Sequence, residues 1–233
     1  METIILAGGF GTRLQQVVND LPKSMAIVNG RPFLEYLLNY LSGQGTTKII
    51  FSVGYKKDAI QEFLGNQFKT IPIDYVSEDE PLGTGGGIRY AFNKVEGEWA
   101  FVLNGDSMFR IDFKAMEQRH GETGADITIA LRYLEETERF GSVKIDNEKR
   151  ITGFAEKGHD TGPGYINGGI YLINKEYIVS SGFPEKFSIE KDCFEKKYVQ
   201  SNFFGYPARG YFIDIGVPDD FYRAQNDFRQ FED

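Results

Sequence analysis

Three glycines, a threonine and an arginine directly follow a short apolar run at the start of the chain. The run is Ile4 to Leu6, and the next segment reads Ala7-Gly-Gly-Phe-Gly-Thr-Arg13. Glycines lack a Cβ and so let the backbone N–H groups of a loop come close to an anion. The guanidinium of Arg13 is planar and suits phosphate oxygens. Together these residues predict a loop that binds phosphate groups.

This loop matches neither of two common phosphate-binding motifs. A dinucleotide-binding motif that starts at Gly9 requires glycine at its sixth position, where the chain has Leu14. A P-loop requires Gly-Lys followed by Ser or Thr, and the segment lacks that sequence. If this loop is considered by itself, its glycines are explained equally well by a tight turn that binds no ligand.

Further polar groups follow in an order that fits a phosphate site. Lys23 lies in the loop Pro22-Lys-Ser24, and a second glycine-rich stretch runs from Glu80 to Gly87. Asp106 follows the apolar run 100–103, where its carboxylate could ligate a divalent cation that also binds phosphate oxygens. Each residue taken singly is explained as well by a solvated lysine or a turn aspartate. The hypothesis depends on their combination.

The elements that would position these groups alternate between strand and helix. Apolar, β-branched runs predict strands in the first half of the chain at 4–6, 48–53, 71–76 and 100–103. Helical spacing predicts helices at 33–41, 56–64 and 87–92. Such alternation is typical of a mostly parallel, doubly wound sheet. A loop at the carboxyl end of its first strand lies where such sheets bind ligands.

The pattern of predicted elements changes in the second half of the chain. Closely spaced strands are predicted at 126–131, 141–145, 150–156 and 169–173, which indicates antiparallel additions to the sheet. A last helix is predicted from Pro218, because proline is tolerated in the first turn of a helix. Since no repeat, low-complexity linker or composition break interrupts the 233 residues, we expect a single domain.

Composition excludes several classes of protein. A hydrophobic content of 41% predicts a folded chain, and the net charge of −8 without a Lys/Arg block argues against nucleic-acid binding. The apolar runs are too short to span a membrane, and the N-terminus lacks the pattern of a secretory signal. The single cysteine, Cys193, suits a reducing cytoplasm, and the two isolated histidines argue against a zinc site. The many Phe and Tyr residues suit a core or the face of a homo-oligomer equally well.

With these groups in this order, the chain resembles the sugar-phosphate nucleotidylyltransferases, which are also called sugar-1-phosphate pyrophosphorylases. The resemblance covers nearly the whole chain and is carried by seven segments in order: LAGGFGTRL (6–14), PKSM (22–25), EPLGTGG (80–86), LNGD (103–106), EK (156–157), NGGIY (167–171) and FIDIGVPDDF (212–221). It implies a Rossmann-like, three-layer α/β/α fold of the nucleotide-diphospho-sugar transferase type, with a mixed, mostly parallel sheet. It also implies that residues 1–110 mainly bind nucleotide and residues 111–233 mainly bind sugar phosphate.

The resemblance assigns roles to the first glycine-rich loop and its neighbours. The triphosphate is expected on Gly8, Gly9, Gly11, Thr12 and Arg13, and the base against the main chain of Leu6, Ala7 and Gly8. Lys23 would neutralise charge at the α-phosphate, although many relatives have Pro-Lys-Pro where this chain has Pro22-Lys-Ser24. Gly83 and Thr84 would form a second wall of the nucleotide site, with Glu80 near the base. Arg13, Lys23 and Asp106 are the expected catalytic residues.

The resemblance also implies a metal and an acceptor site. Asp106 and Asp214 would hold Mg²⁺, which prefers carboxylate and phosphate oxygens. Glu156 and Lys157 resemble the pair that contacts the sugar and its phosphate. Gly105, Asn167 and Gly168 are expected beside them, where Asn167 and Gly168 would read the sugar hydroxyl groups.

The implied reaction joins a nucleoside triphosphate and a sugar 1-phosphate into a nucleotide sugar and releases pyrophosphate. The segments EPLGTGGGI and DIGVPDDF, and the lack of a further domain after the last predicted helix, are most similar to the D-glycero-α-D-manno-heptose 1-phosphate guanylyltransferases. This predicts GTP as donor. The alternatives are a mannose-1-phosphate guanylyltransferase, an amino-sugar-1-phosphate uridylyltransferase, or a regulatory subunit that binds nucleotide sugar without catalysis. A glycosyltransferase ranks below these, because Asn104-Gly-Asp106 offers one carboxylate where an Asp-x-Asp motif is expected.

Overall fold

A computed structural model describes residues 1–8, 21–54, 57–78, 80–155, 158 and 162–231. Its strands are β1 (Glu2–Leu6), β2 (Ile27–Val28), β3 (Arg31–Pro32), β4 (Lys48–Val53), β5 (Gln67–Phe68), β6 (Ile71–Ser77), β7 (Trp99–Asn104), β8 (Ser107–Phe109), β9 (Ile127–Leu134), β10 (Ser142–Ile145), β11 (Ile151–Ala155), β12 (Gly164–Asn174), β13 (Phe203–Ala208) and β14 (Phe212–Asp214). Its helices are α1 (Phe33–Ser42), α2 (Lys57–Leu64), α3 (Gly83–Ala91), α4 (Phe113–Thr123), α5 (Lys175–Ser180), α6 (Glu195–Lys197) and α7 (Pro218–Asp227). A π-helix covers Ile189–Phe194, and 3₁₀ turns cover Lys23–Met25, Phe92–Lys94 and Phe228–Phe231. None of the helices in the described ranges has both the length and the apolar character needed to cross a membrane.

The central sheet is mixed, as the sequence predicts. Strands β6, β4, β1 and β7 lie side by side and are parallel. Beyond β7 the sheet continues with β12 and β9, each antiparallel to its predecessor, and β13 pairs parallel to β9. The chain moves outward from β1 through β4 to β6 and then returns to place β7 on the other side of β1. Such a reversal leaves a crevice at the carboxyl ends of the strands, where ligands bind in sheets of this kind.

Both faces of this sheet are buried, which confirms the three-layer arrangement. Ile4, Ile50 and Val102 contribute to one apolar cluster, which also contains residues of α3 and of the π-helix. Their chain neighbours Ile5, Phe51 and Leu103 contribute to a second cluster with residues of α1 and α7. Strands that are buried on both sides need apolar residues at every position rather than at alternate ones. This is why the sequence shows continuous apolar runs at 4–6 and 48–53.

An interruption in β12 makes room for a ligand beside the sheet. One edge of β12 pairs with β10 at Tyr165 and with β7 from Ile170 to Asn174. The other edge pairs with β9, and its register shifts between Asn167 and Tyr171. Residues 167–169 therefore lie between the stretch of β12 that pairs with β10 and the stretch that pairs with β7. This edge of β12 is open there.

A two-stranded pair brings two distant aspartates together. Strands β8 and β14 are antiparallel, with Ser107 opposite Asp214. The N–H of Ile215 also donates to the carbonyl oxygen of Asp106 at 3.0 Å. The pairing places Asp106 next to Asp214, which lies 108 positions later in the chain.

The structure extends or adds several elements relative to the sequence prediction. Helix α3 begins at Gly83 rather than at 87, so most of the second glycine-rich stretch is helical. The glycines are needed there because a Cβ on Gly86 would lie 2.6 Å from the carbonyl oxygen of Glu185. Helix α4 was not predicted, although Asp112 caps its start and Gly124 ends it in the left-handed region. Its apolar side is narrow, with Phe113 and Met116 as its buried apolar residues.

His120, on α4, is expected to make the stability of the fold depend on pH. Its side chain is buried, and its Nδ1 lies 2.8 Å from the hydroxyl of Thr128. Burial lowers the pKa of His120 to about 4. An unfolded chain would take up a proton on this histidine near pH 6.5, whereas the folded protein stays neutral down to about pH 4. The free energy of unfolding should therefore decrease as the pH falls through this interval, by up to about 3 kcal/mol.

Urea unfolding at a series of pH values between 7.5 and 4 tests this prediction. His120→Gln removes the titrating group and keeps a polar side chain that can reach Thr128. We expect the stability of the variant to depend less steeply on pH than that of the wild type, whatever its stability at pH 7.5. Parallel pH dependences would show that another group causes the acid sensitivity.

Candidate active site

A cavity of about 390 Å³ lies at the carboxyl ends of the parallel strands. The loops that follow β1, β6 and β7 form its walls. The described residues that line it are Leu6, Ala7, Gly8, Lys23, Ser24, Ser52, Glu78, Pro81, Gly83, Thr84, Gly87, Asn104, Gly105, Asp106, Tyr171, Ile189 and Glu190. Of the residues predicted for the nucleotide site, Leu6, Ala7, Gly8, Gly83 and Thr84 lie here. We refer to this space as the first cavity.

A second cavity of about 470 Å³ adjoins the first, where the edge of β12 opens. Its described lining residues are Asn104, Ser107, Phe140, Gly141, Ser142, Val143, Phe154, Ala155, Asn167, Gly168, Gly169, Glu190, Lys191, Phe194, Glu195, Phe212 and Asp214. The predicted residues Asn167, Gly168 and Asp214 lie here. Asn104 and Glu190 line both cavities, so the two spaces share a wall.

Lys23, Asp106 and Asp214 meet where the two cavities join. The ammonium nitrogen of Lys23 lies 2.5 Å from Oδ2 of Asp106 and 4.0 Å from Oδ1 of Asp214. The N–H of Gly216 donates to the same Asp214 oxygen at 2.7 Å. A Cβ on Gly216 would collide with the Lys23 nitrogen, so the glycine leaves room for the ammonium in this position. One cation thus faces two carboxylates in a partly buried space.

The electrostatics of this cluster favour a cation. Burial raises the pKa of the Asp214 carboxyl, and the nearby charge of Asp106 raises it further, whereas Lys23 and the N–H of Gly216 act in the opposite direction. The net effect on Asp214 is a raised pKa, so burial and the second carboxylate together outweigh the stabilisation of its charge by Lys23 and Gly216. Additional positive charge at this point would stabilise both carboxylates.

The carboxylate pair fits a magnesium ion by its chemistry. Both side chains offer hard oxygen ligands at the edge of a cavity, which Mg²⁺ prefers. Within the described part of the chain, no group of three or more His, Cys, Asp or Glu side chains forms a metal cage. A pair of carboxylates is nevertheless sufficient for Mg²⁺, which usually keeps several waters and takes its other ligands from substrate phosphates.

Glu78 is a charged group of the first cavity that the sequence analysis did not identify. It follows directly on β6, and its Oε2 accepts a hydrogen bond from the N–H of Leu82 at 2.8 Å. The hydroxyl of Ser52 donates to its Oε1 at 3.5 Å. A Cβ on Gly87 would lie 2.3 Å from Oε1, so the carboxylate rests against the backbone of α3. These contacts fix its position, and each oxygen retains capacity for another donor.

Glu80, which the sequence analysis placed near the base, is exposed. The described lining of the first cavity contains Glu78 and Pro81 but not Glu80. Of the glutamates at positions 78 and 80, Glu78 is therefore the one that lines this cavity. The general rule that ligands bind after the ends of parallel strands points to Glu78 as well, because Ser77 ends β6.

The second wall of the first cavity is built from α3 and the segment that precedes the π-helix. The carbonyl oxygen of Phe187 accepts hydrogen bonds from the N–H groups of Gly85 and Gly86, at 2.9 and 3.4 Å. The hydroxyl of Thr84 accepts from the N–H of Ile189 at 3.0 Å. Two N–H groups of the first helical turn are thus already bonded within the protein. This wall contributes shape rather than an open set of phosphate-binding amides.

Asn167 is held rigidly at the rim of the second cavity. Its Nδ2 donates to the hydroxyl of Tyr171 at 3.0 Å, and its Oδ1 accepts from the N–H of Gly169 at 2.9 Å. Tyr171 is fully buried, which raises the pKa of its hydroxyl far above the ordinary value, so the group stays protonated. The side chain of Asn167 is therefore oriented before any ligand arrives.

Several predicted residues lie outside the described part of the chain. They are Gly9, Gly11, Thr12, Arg13, Glu156 and Lys157. Their neighbours are placed, since Gly8 lines the first cavity and Ala155 the second. Other residues of the two cavities carry no motif signal and were not predicted, among them Ser52, Glu190 and Lys191.

Comparison with known proteins gives a consistent result. The model of the nucleotidyl transferase family matches residues 2–230. A D-glycero-α-D-manno-heptose 1-phosphate guanylyltransferase of Aneurinibacillus thermoaerophilus is 45% identical over 99% of this chain and 100% of its own length. A mannose-1-phosphate guanylyltransferase of Mycobacterium tuberculosis is 32% identical over 97% of this chain and 64% of its own length. The crystal structure of HddC from Yersinia pseudotuberculosis complexed with GMP-PN covers 97% of this chain and 99% of its own, with 37% identity and a TM-score of 0.87.

Proposed function

Because the chain belongs to the nucleotidyl transferase family, we propose that it transfers the guanylyl group of GTP to D-glycero-α-D-manno-heptose 1-phosphate. The products would be GDP-heptose and pyrophosphate. The identity of 45% with a heptose 1-phosphate guanylyltransferase over the full length of that relative supports this acceptor. The GMP-PN complex of a protein with the same fold supports a guanine nucleotide.

The observation that carries the proposal is the pair of adjoining cavities with Lys23 and Asp106 at their junction. A nucleotidyl transfer needs two phosphate compounds side by side, because an oxygen of one must attack the α-phosphorus of the other in line. The first cavity is built mainly by residues of 1–110 and the second mainly by residues of 111–233. This division supports a nucleotide-binding half and a sugar-phosphate-binding half within one domain.

The reaction needs positioning and charge neutralisation rather than a general base. The second pKa of a phosphate monoester is about 6, so the attacking oxygen is already largely ionised at neutral pH. What opposes the reaction is repulsion between two anions, which fixed cations in a low-dielectric site relieve. Lys23 lies at the junction of the cavities for this role, and we propose that Arg13 and Lys157 assist it.

Asp106 and Asp214 would hold Mg²⁺, whose charge would offset that of the phosphate groups. Asp106 faces the first cavity and Asp214 the second, so the pair spans the point where the two substrates would meet. Asn167 and Gly168 would contact hydroxyl groups of the acceptor, with Gly105, Glu156 and Lys157 near its phosphate. Gly8, Gly9, Gly11, Thr12 and Arg13 would hold the triphosphate.

We propose Glu78 as the residue that selects guanine. The edge of guanine presents two adjacent donor groups, the N1–H and the N2 amino group, whereas uracil presents one N–H between two carbonyl groups. A carboxylate can accept two hydrogen bonds at once and does so most strongly when it is charged. Among the described residues that line the first cavity, Glu78 and Glu190 are its glutamates, and Glu78 is the one on the side of β6.

Pyrophosphate release measured with Mg²⁺ tests the proposed function. The donors are GTP, ATP, UTP, CTP and dTTP, and the acceptors are a panel of sugar 1-phosphates. We expect release with GTP and heptose 1-phosphate. Activity with GTP and mannose 1-phosphate instead would change the proposed acceptor. Activity with UTP and an amino-sugar phosphate would change both proposed substrates. No release with any pair would indicate a regulatory subunit.

The role of Glu78 is tested by Glu78→Gln. Glutamine keeps the size of the side chain and one acceptor, but it turns a donor toward the donors of guanine. We expect the KM for GTP to rise about 10- to 100-fold, since a lost charge-assisted hydrogen bond leaves a buried donor unpaired. The KM for the sugar 1-phosphate should change little. Steady-state kinetics with each substrate varied in turn measures both values.

Glu80→Gln is the matched control, because Glu80 is exposed and lies two residues away. It should leave both KM values unchanged. If Glu80→Gln rather than Glu78→Gln raised the KM for GTP, Glu80 would be the residue near the base, as predicted from the sequence.

A further inference from the structure

The loop between β9 and β10, residues 135–141, forms one wall of the second cavity. Phe140 and Gly141 line that cavity. The carbonyl oxygen of Thr137 accepts from the N–H groups of both residues, at 2.9 and 3.1 Å, which closes the loop on itself. The wall presented to the acceptor therefore depends on the position of this loop as a whole.

The same loop also supports the segment that follows Glu156 and Lys157. The N–H of Gly158 donates to the carbonyl oxygen of Glu138 at 3.1 Å. The hydroxyl of Thr137 donates to the carbonyl oxygen of Gly162 at 3.0 Å. Both contacts connect the loop to the stretch that joins β11 to β12. A shift of the loop would therefore disturb the contacts at Gly158 and Gly162.

An aromatic contact connects the loop to β14. The rings of Phe140 and Phe212 lie 5.9 Å apart at 69°, and Phe212 packs in turn on Phe109 at 5.5 Å. Phe212 begins β14, whose last residue is Asp214. The loop therefore contacts both the wall of the second cavity and the strand that ends at Asp214.

One ion pair attaches this loop to the rest of the protein through helix α7. The guanidinium of Arg139 donates to Oδ2 of Asp220 at 2.6 Å. The side chain of Asp220 is 9% exposed, whereas that of Arg139 is 55% exposed and also lies over the ring of Phe140, 5.3 Å from its centroid. Arg223 approaches the other oxygen of Asp220 at 3.5 Å. A largely buried carboxylate on α7 therefore holds the arginine next to a cavity residue.

We propose that Arg139 and Asp220 are positioning residues that set the affinity for the acceptor without touching it. The pair fixes the 135–141 loop against α7, and the loop fixes Phe140 and Gly141 at the wall of the second cavity. The first cavity contains none of these residues in its described lining, so binding of the donor nucleotide should not depend on the pair. This inference rests on the proposed function.

Asp220→Asn and Arg139→Gln test the proposal, since each removes the ion pair and changes side-chain volume little. We expect either variant to raise the KM for the sugar 1-phosphate about tenfold, as for a lost charge-assisted hydrogen bond, with the KM for GTP unchanged. The double variant should be no worse than Asp220→Asn, because Arg139 acts through its contact with Asp220. Arg139→Lys keeps a positive charge and should retain part of the affinity that Arg139→Gln loses.

Asp219→Asn is the matched control, because Asp219 is the exposed neighbour of Asp220 in the first turn of α7. It should leave both KM values at their wild-type level. Equal increases of both KM values in Asp220→Asn, or additive effects in the double variant, would overturn the proposal, since they indicate a general loss of structure.

Amide hydrogen exchange separates this inference from the proposed function. In Asp220→Asn the amides of Phe140 and Gly141 should exchange faster, while those of β1 and β4 should keep their wild-type rates. Unchanged exchange at Phe140 and Gly141 would overturn the positioning role even if the enzyme is active. A wild-type protein that releases no pyrophosphate from any substrate pair would refute the proposed function, and the exchange experiment would then decide on the loop attachment alone.

Discussion

Asp106→Asn should lower kcat by about 100-fold or more, the scale that follows the loss of one strong electrostatic element of an active site. The substitution leaves the shape of the side chain and removes its charge. Asp106 is one of two carboxylates at the junction of the cavities, and its Oδ2 is the closer partner of Lys23. Both the cation-binding pair and the orientation of Lys23 should therefore suffer. Pyrophosphate release at saturating GTP and acceptor measures the effect.

The matched control for this experiment is Asp74→Asn. Asp74 also pairs with a lysine, since its carboxylate lies 3.3 Å from the ammonium of Lys48, but it belongs to β6 and lies outside the described lining of both cavities. We expect its kcat to stay within about twofold of the wild-type value, as for a surface ion pair. Titration with Mn²⁺ adds a reading that is independent of turnover, and Asp106→Asn should bind Mn²⁺ more weakly. Near-normal turnover together with normal Mn²⁺ binding would show that Asp106 does not hold the metal ion.

The sequence was sufficient for the part of the site that parallel strands determine. The carboxyl end of β1 and that of β7 must lie on the same edge of the sheet once the two strands are parallel neighbours. Ala7 and Gly8 therefore come close to Gly105 and Asp106 once β1 and β7 are paired, and the sequence predicts the strands though not their order. The buried strands were visible because burial on both faces removes polar residues from them.

Contacts that depend on long-range pairing were not predictable from local pattern. Asp214 reaches Asp106 through the pairing of β8 with β14, two strands of three residues each whose sequences show no distinctive alternation. Only the resemblance to a family suggested that the two aspartates act together. The ion pair between Arg139 and Asp220 joins a loop to a helix 81 positions away, and neither residue differs locally from an ordinary surface charge.

The choice between Glu78 and Glu80 shows a further limit of sequence reasoning. Two glutamates two positions apart in a loop have the same composition signal. Their exposure differs because the N–H of Leu82 and the hydroxyl of Ser52 hold Glu78 inward. That difference arises from β4 and from the start of α3, which are distant in sequence from each other.

The second large effect is expected for Lys23→Met, which should lower kcat/KM for GTP by about 100- to 1,000-fold. Methionine fills a similar volume but carries no charge, so the α-phosphate would lose a cation at the junction of the cavities. Lys23→Arg should not preserve activity, because the Lys23 nitrogen already lies so near Gly216 that a Cβ there would collide with it, and a guanidinium is larger than an ammonium. The initial rate of pyrophosphate release at low GTP measures kcat/KM.

Lys48→Met provides the control, because Lys48 also contacts two carboxylates, those of Asp74 and Glu96, each at 3.3 Å. Its kcat/KM should stay close to that of the wild type. The binding of Mn²⁺ to the free protein then distinguishes the two kinds of site residue. Asp106→Asn removes a ligand and should weaken Mn²⁺ binding, whereas Lys23→Met removes an ammonium that occupies the same carboxylates and should strengthen it. If Lys23→Met weakened Mn²⁺ binding instead, Lys23 would have to be regarded as a support for the carboxylate pair rather than as a cation that leaves it for the phosphate.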